Sequence, residues 1–393
     1  MQKINGQDMK RHNVHLVINT IIQYGPISRT ELRDKVGLTA ATVINITNDL
    51  LEKNIIVQEG LATASSKGRK ALMLNVNPTA FYILGVSITT RRLIVGLADF
   101  RGEVVDSIDV SIQNTITPEE TLDSIQQKVQ TLIEKHRVPR EKLVGIGVAA
   151  PGPIDAHTGL ITVPPDLPNW RNVPLQKLLE ERLMIPVRVA NETNAAALAE
   201  CYAGGDEREF VFFISLFRLG VGGGLVLNGE PLLGFHGSAG EVGHLLVQPG
   251  GRLCGCGSRG CLEAMISEDA LLEAAATGGA GEISLEELFT RSKNMDPVCY
   301  AVVKQAADYL TMAICDVVHM VSPSRIVLGG PLAEMSPQLL ELAFRQVHSR
   351  SYPHDYSNIR LQLSTFGDQV FLRGALSIAA GELLQQRLET LGS

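Results

Sequence analysis

The chain has 393 residues, 45% of them hydrophobic and 20% charged, which is enough for two or three soluble domains with sizeable cores. No apolar run reaches the ~18 residues that span a bilayer, and the polar start MQKINGQDMKRHN lacks the apolar centre of a signal peptide. The expectation is a cytoplasmic protein with no membrane partner. The net charge of −7 argues against a chain uniformly coated with nucleic acid, yet residues 1–80 hold ten Lys/Arg against six Asp/Glu, and residues 81–393 hold 25 against 36. A basic head on an acidic body fits a DNA-binding module joined to a separate ligand domain, although a swing of this size also arises incidentally.

Within 1–80, Val17, Ile18, Ile21 and Ile22 recur at helical spacing, and Gly25-Pro26 stops that helix. Ser28, with Glu31 three residues on, makes a capping box for a short helix ending at Gly37. Thr39 caps a third helix whose inward positions are Val43, Ile46, Thr47 and Leu50. Its outward positions are Ala41, Thr42, Asn45 and Asn48, short or amide-bearing side chains that let a helix approach DNA and read base edges. Two helices joined by a Gly-containing turn form a helix-turn-helix. After it, IIVQEG and ALMLNVNP alternate like a hairpin around LATASSKGRK, a wing whose Lys67, Arg69 and Lys70 could enter a minor groove. A small helical interaction module with a solvated basic loop is the plainer alternative.

From residue 81 the pattern is strand, turn, strand, then helices and parallel-type strands, and it is given twice. FYILGVSI and RLIVGLADF open the first set; FVFFISLFRLGVGGGLVLNG opens the second. Two related α/β lobes with a cleft between them follow, over residues 81–194 and 195–393, with the last helix (about 371–388) packing back on the first lobe.

Inside the second set, His244, Cys254, Cys256 and Cys261 offer one imidazole and three thiolates. These make a closed tetrahedral Zn²⁺ shell of structural type, since a catalytic zinc keeps an open position. Disulfide pairing is the rival and fits poorly with a cytoplasmic chain. Cys201, Cys299 and Cys315 stand in apolar helical contexts and are expected to pack as small hydrophobes.

Seven stretches in order then resemble one family: AAPGPID at 149–155, LPNW at 167–170, ANETNAAALAE at 190–200, GVGGGLVLNG at 220–229, GSAGEVGH at 237–244, CGCGSRGCLE at 254–263 and PSRIVLGG at 323–330. This is the repressor, open reading frame and kinase (ROK) family, within the sugar-kinase, Hsp70 and actin superfamily. The resemblance implies an α/β two-lobed, actin-like (ribonuclease-H-like) body, preceded here by a winged helix-turn-helix as in the repressor branch. It also assigns zinc to the cysteine cluster. It implies that Asn191, Glu241, His244 and Glu263 bind sugar hydroxyls, with a turn at Gly152 bringing backbone close to the ring. His244 then serves twice, one ring nitrogen on the metal and the other toward the sugar. Trp170 either covers the pocket or packs beneath it.

The same resemblance argues against phosphoryl transfer. Family kinases open with Asp-x-Gly-Gly-Thr, where this chain reads Ser87-Ile88-Thr89-Thr90-Arg91. Their second phosphate hairpin reads Gly-Thr-Gly-x-Gly-Gly-Gly, where this chain has Arg218-Leu219-Gly220-Val221-Gly222-Gly223-Gly224. The general-base Asp is replaced by Glu192, a change that is ambiguous alone. The expectation is a non-enzymatic, sugar-responsive transcriptional regulator, a repressor, binding operator DNA as a homodimer or homotetramer. A sugar kinase carrying a DNA-binding domain and a repressor controlled by a protein partner are the competing readings.

Overall fold

The computed structural model describes residues 6–61, 72–164, 167–204, 209–218, 220–235, 237–350 and 359–391. The wing positions Lys67, Arg69 and Lys70 lie outside the described residues.

The head is built from short-range signals. Helix Gly6–Tyr24 stops before Gly25-Pro26. Ser28 and Glu31 close the capping box of helix Arg29–Val36, which ends at Gly37 in the left-handed region at φ 69°. Thr39 caps Ala40–Glu52 by accepting from the Thr42 N–H, and Val43, Ile46, Thr47 and Leu50 are its buried residues. Strands Ile56–Leu61 and Leu72–Val76 pair antiparallel, and the two-residue strand Ile27–Ser28 joins them. Sequence periodicity could not reveal a strand that short. Three helices on a three-stranded sheet fit a winged helix.

The body contains two five-stranded sheets of one design. In the first, Tyr82–Ile88, Arg92–Asp99 and Val104–Ser111 run antiparallel in turn, and Leu143–Ala150 and Val187–Asn191 add in parallel on the other flank. In the second, Phe210–Leu216, Val221–Leu227 and Glu230–Pro231 make the antiparallel part, and Arg325–Gly329 and Arg360–Leu363 the parallel part. Numbered by appearance, both orders are 3-2-1-4-5, so the duplication read from the pattern is a duplication of topology. Burial follows position: Leu143–Ala150 is covered on both faces, whereas the edge strand Val104–Ser111 alternates between half-buried and exposed.

One helix ties the parts together. Val370–Ile378 runs through a π-helical stretch, Ala379–Leu384, into Gln385–Leu391. Its first part lies on the first sheet, where glycines make room. A methyl group at Gly85 or Gly96 would come within 2.8 or 2.9 Å of Leu376 or Leu372, and one at Gly147 within 1.8 Å of the Ala375 carbonyl oxygen. On its other side, Gly374 meets helix Glu192–Gly204, where a methyl group would stand 2.5 Å from the Ala195 carbonyl carbon. The helix is a wedge between the lobes. Its far end reaches the head: Gln385 hydrogen-bonds His15 and, at 3.3 Å through its amide nitrogen, Asn19. Leu383, Leu384 and Leu388 share one core with Val14, Val17, Ile18 and Ile21 of the head's first helix. Among the described residues, no helix is long and apolar enough to cross a membrane.

Candidate functional site

The glycine-rich strand Val221–Leu227 organises the cleft. Successive residues of a strand face opposite sides. A methyl group at Gly222 would approach Thr193 Oγ1 to 2.6 Å, and one at Gly224 the Thr193 carbonyl oxygen to 2.5 Å. From the opposite face, one at Gly223 would stand 2.1 Å from the Gly240 carbonyl oxygen. These glycines are therefore required for close packing, whatever a phosphate hairpin would ask of them. Gly329 answers to packing too, a methyl there falling 2.6 Å from the Phe213 ring.

On the first side of this strand stand Asn191 and Gly152. Asn191 Nδ2 donates to the Gly152 carbonyl at 3.1 Å, and its Oδ1 accepts from the N–H groups of Thr193 and Asn194 at 2.9 and 3.3 Å. Asn191 thus caps helix Glu192–Gly204, and one amide N–H is left for a ligand. Gly152 has φ 89°, and a methyl there would meet Pro164 at 2.6 Å. The close approach it permits in this structure is to Pro164. Glu241 and His244 follow Gly240 on the second side, and Glu263 stands by the turn that leads into the strand. His244 Nε2 lies 4.0 Å from Glu241 Oε2, and His244 Nδ1 lies 3.5 Å from Glu263 Oε1. Glu263 Oε2 faces the turn before the strand, 3.6 Å from where a methyl group on Gly220 would be. The structure joins the two groups through the glycine strand rather than by a direct hydrogen bond. Trp170 is fully buried and donates its indole N–H to the Ile116 carbonyl at 3.0 Å, so of its two readings the structure selects packing.

The ligand atoms of His244, Cys254, Cys256 and Cys261 all lie within 4.8 Å of one another. Cys256 Sγ is 3.7 Å from Cys261 Sγ, and Cys254 Sγ is 3.7 Å from His244 Nδ1. A tetrahedron with metal–sulfur bonds of about 2.3 Å has edges of about 3.8 Å, so the donor set fits a metal ion. The Ser258 backbone N–H draws the Cys256 thiol down to about 7, whereas burial pushes those of Cys254 and Cys261 up. A cation is what two buried thiols need before they ionise. His244 turns Nδ1 to the cluster and Nε2 toward Glu241. Cys254 donates to Glu263 Oε1 at 2.9 Å, so Glu263 has one oxygen on the cluster and one toward the turn before the strand. Cys201 and Cys299 pack in apolar cores as expected, and Cys315 is half-buried.

A cavity of about 290 Å³ is lined by Ser87, Thr90, Arg91, Glu192, Arg218 and Gly220 among others. Arg218 is committed to Glu268 at 2.9 Å and Glu286 at 2.8 Å. Ser87 Oγ is buried and has no hydrogen-bond partner among the described residues.

In the head, Ala41, Asn45 and Asn48 are exposed and Thr42 is half-buried. Thr39 and Thr42 pair through their hydroxyls at 2.9 Å. Two neighbours escape sequence reasoning. Arg29 reaches Thr47 Oγ1 at 2.8 Å and Asn48 Oδ1 at 2.7 Å across 19 residues of chain, with no local signal. Ile44, 44% exposed, stands out of phase with the buried seam, which a strict count of helical positions could have found.

The model of the ROK family matches residues 83–382. The xylose repressor of Bacillus spizizenii is 28% identical over 376 residues, covering 96% of this chain and 97% of that protein. A solved ROK family transcriptional regulator, described as a homologue of the Escherichia coli Mlc protein, is 28% identical with a TM-score of 0.80, covering 98% of both chains. The ROK hexokinase of Thermus thermophilus is 30% identical with a TM-score of 0.66, covering 77% of this chain and 99% of its own.

Proposed function

The chain belongs to the ROK family, and from that premise we propose that it is a sugar-responsive transcriptional repressor whose head binds operator DNA and whose cleft senses a sugar or sugar derivative. The observation that carries this reading is the reach of the likeness. The regulator matches head and body, covering 98% of the chain, whereas the hexokinase is spent after 77%.

In this reading the sugar lies beside the glycine strand. The carboxylates of Glu241 and Glu263 accept from its hydroxyls, and His244 Nε2 and the spare amide N–H of Asn191 complete the set. Gly152 holds the turn that carries the Asn191 bond. His244, Cys254, Cys256 and Cys261 would hold a structural Zn²⁺, which supplies the charge that keeps three thiols ionised and fixes the tautomer of His244. The clip positions Glu241, His244 and Glu263 in one wall. Ligand binding shifts the lobes about the wedge helix, whose Gln385 end is bonded to the head. In a homodimer or homotetramer reading paired half-sites, a small change in head spacing weakens operator binding, and operator weakens sugar binding by the same factor. Ser87, Arg91 and Arg218 leave no glycine-and-threonine phosphate cradle, so phosphoryl transfer is not part of the reading.

A thermal-shift screen of sugars and sugar phosphates, followed by DNA-binding anisotropy with each hit, tests it. The expected result is one sugar that raises the melting temperature and releases DNA. Stabilisation by none would favour control by a protein partner. ATP turnover with a hexose in a coupled assay would overturn the non-enzymatic part.

A further inference from the structure

We propose that Ile44 reads a thymine methyl group in the major groove beside an adenine read by Asn45, and that Arg29 withholds Asn48 from adenine recognition. The proposal rests on the DNA-reading role of the head given above and names the readers and their bases.

Helix Ala40–Glu52 already has a complete inward seam in Val43, Ile46, Thr47 and Leu50. Ile44 is outside that seam and 44% exposed. Positions 41, 44, 45 and 48 are three or four apart and share one stripe of the helix. The stripe therefore presents a small residue, a branched hydrophobe and two amides. Along the major groove, the apolar feature of the base edges is the thymine 5-methyl, and a branched aliphatic side chain complements it.

The two amides are not equivalent. Bidentate recognition of adenine needs a carboxamide oxygen to accept from N6 and a nitrogen to donate to N7. Asn45 is exposed and, among the described residues, no hydrogen bond holds its carboxamide, so both its groups are available. Asn48 Oδ1 already accepts from Arg29 Nη2 at 2.7 Å, and Arg29 is anchored by Nε on Thr47 Oγ1 at 2.8 Å. Arg29 takes one of the two lone pairs of Asn48 Oδ1 and adds guanidinium N–H donors beside it, so the pair presents mainly donors. They suit an acceptor, such as guanine O6 and N7 or a phosphate oxygen, and not adenine N6. Thr39 and Thr42, bonded to each other and to the helix N-terminus, are left to contact backbone phosphate.

The test uses the full-length protein. Duplexes are enriched from a random pool, and the preferred thymine is then replaced by deoxyuridine, which lacks only the methyl group. The wild type should lose roughly fivefold in affinity on that replacement. Ile44→Ser should bind thymine and deoxyuridine duplexes equally, and Asn45→Ala should lose the adenine preference at the neighbouring position. Arg29→Ala should change the base preferred opposite Asn48 rather than weaken all sequences alike. A wild type indifferent to deoxyuridine, or an Ile44→Ser variant that keeps the thymine preference, overturns the assignment. Enrichment of no sequence at all sinks the DNA-reading role itself, an outcome distinct from a motif that ignores Ile44.

Discussion

The two sheets share one strand order, yet their glycines do different work. In the first sheet, Gly85, Gly96 and Gly147 on three adjacent strands form a groove for the wedge helix that leads to the head. In the second, Gly222, Gly223 and Gly224 on one strand admit Thr193 from one face and Gly240 from the other, so they set how closely those segments pack on the strand. Under the proposed function, the same duplicated unit would serve once for transmission and once for reception. The glycine hairpin looks like a relic of phosphate binding only when its neighbours are ignored.

The largest expected effects come from filling these spaces. Gly147→Ala puts a methyl group 1.8 Å from the Ala375 carbonyl, against backbone that cannot yield, and should cost about 3 kcal/mol in urea unfolding while lowering DNA affinity. Gly223→Ala meets the Gly240 carbonyl at 2.1 Å and should cost a similar amount, but with sugar affinity lost and DNA affinity kept. If both variants lose the same function, the division of labour between the sheets fails. Next in size is metal removal. Chelation, or Cys256→Ser, should lower the melting temperature and sugar affinity by calorimetry, with DNA binding by the head surviving. Glu241→Ala leaves the clip intact and removes one charged hydrogen-bond acceptor, worth about 2 kcal/mol, or some thirtyfold in sugar affinity. DNA release by sugar at unchanged concentration would show that the cleft is elsewhere.

The smallest effect concerns acid. A hydrogen bond from His136, then one from Lys135, holds the Asp106 carboxyl down at about 2 in the first lobe. The Arg291 pair, then the Cys299 N–H, holds Asp296 at about 2 in the second. Both folded values lie below the ordinary 3.8, so both contributions are present above 3.8 and are lost as pH falls through about 2. The stability gap between wild type and Asp106→Asn should close over that interval, and so should the gap for Asp296→Asn. A gap for either variant that persists at the acid end would separate the lobes.

Local chemistry was legible in the sequence. Ser28, Glu31 and Thr39 announce their caps, and the inward set Val43, Ile46, Thr47 and Leu50 is the set that is buried. The four metal-ligand positions converge as their spacing implied. What stayed hidden depends on chain segments far apart in sequence. Arg29 bonding Asn48, Gln385 bonding His15, and glycines whose missing methyl groups make room for another backbone leave no periodic trace. Asn191 shows the middle case. Its position before a helix signals a cap, and its place in a family motif signals a ligand, and one side chain has enough donors for both.

The shared core of head and tail also has a bearing on synthesis. Val14, Val17, Ile18 and Ile21 are made well before their partners Leu383, Leu384 and Leu388. On the ribosome the helix Gly6–Tyr24 therefore keeps part of its apolar seam uncovered until the later helix has emerged. A head whose core is closed by Leu383, Leu384 and Leu388 reaches its finished form only after the body that lies between them has been made, which ties completion of the head to completion of the body.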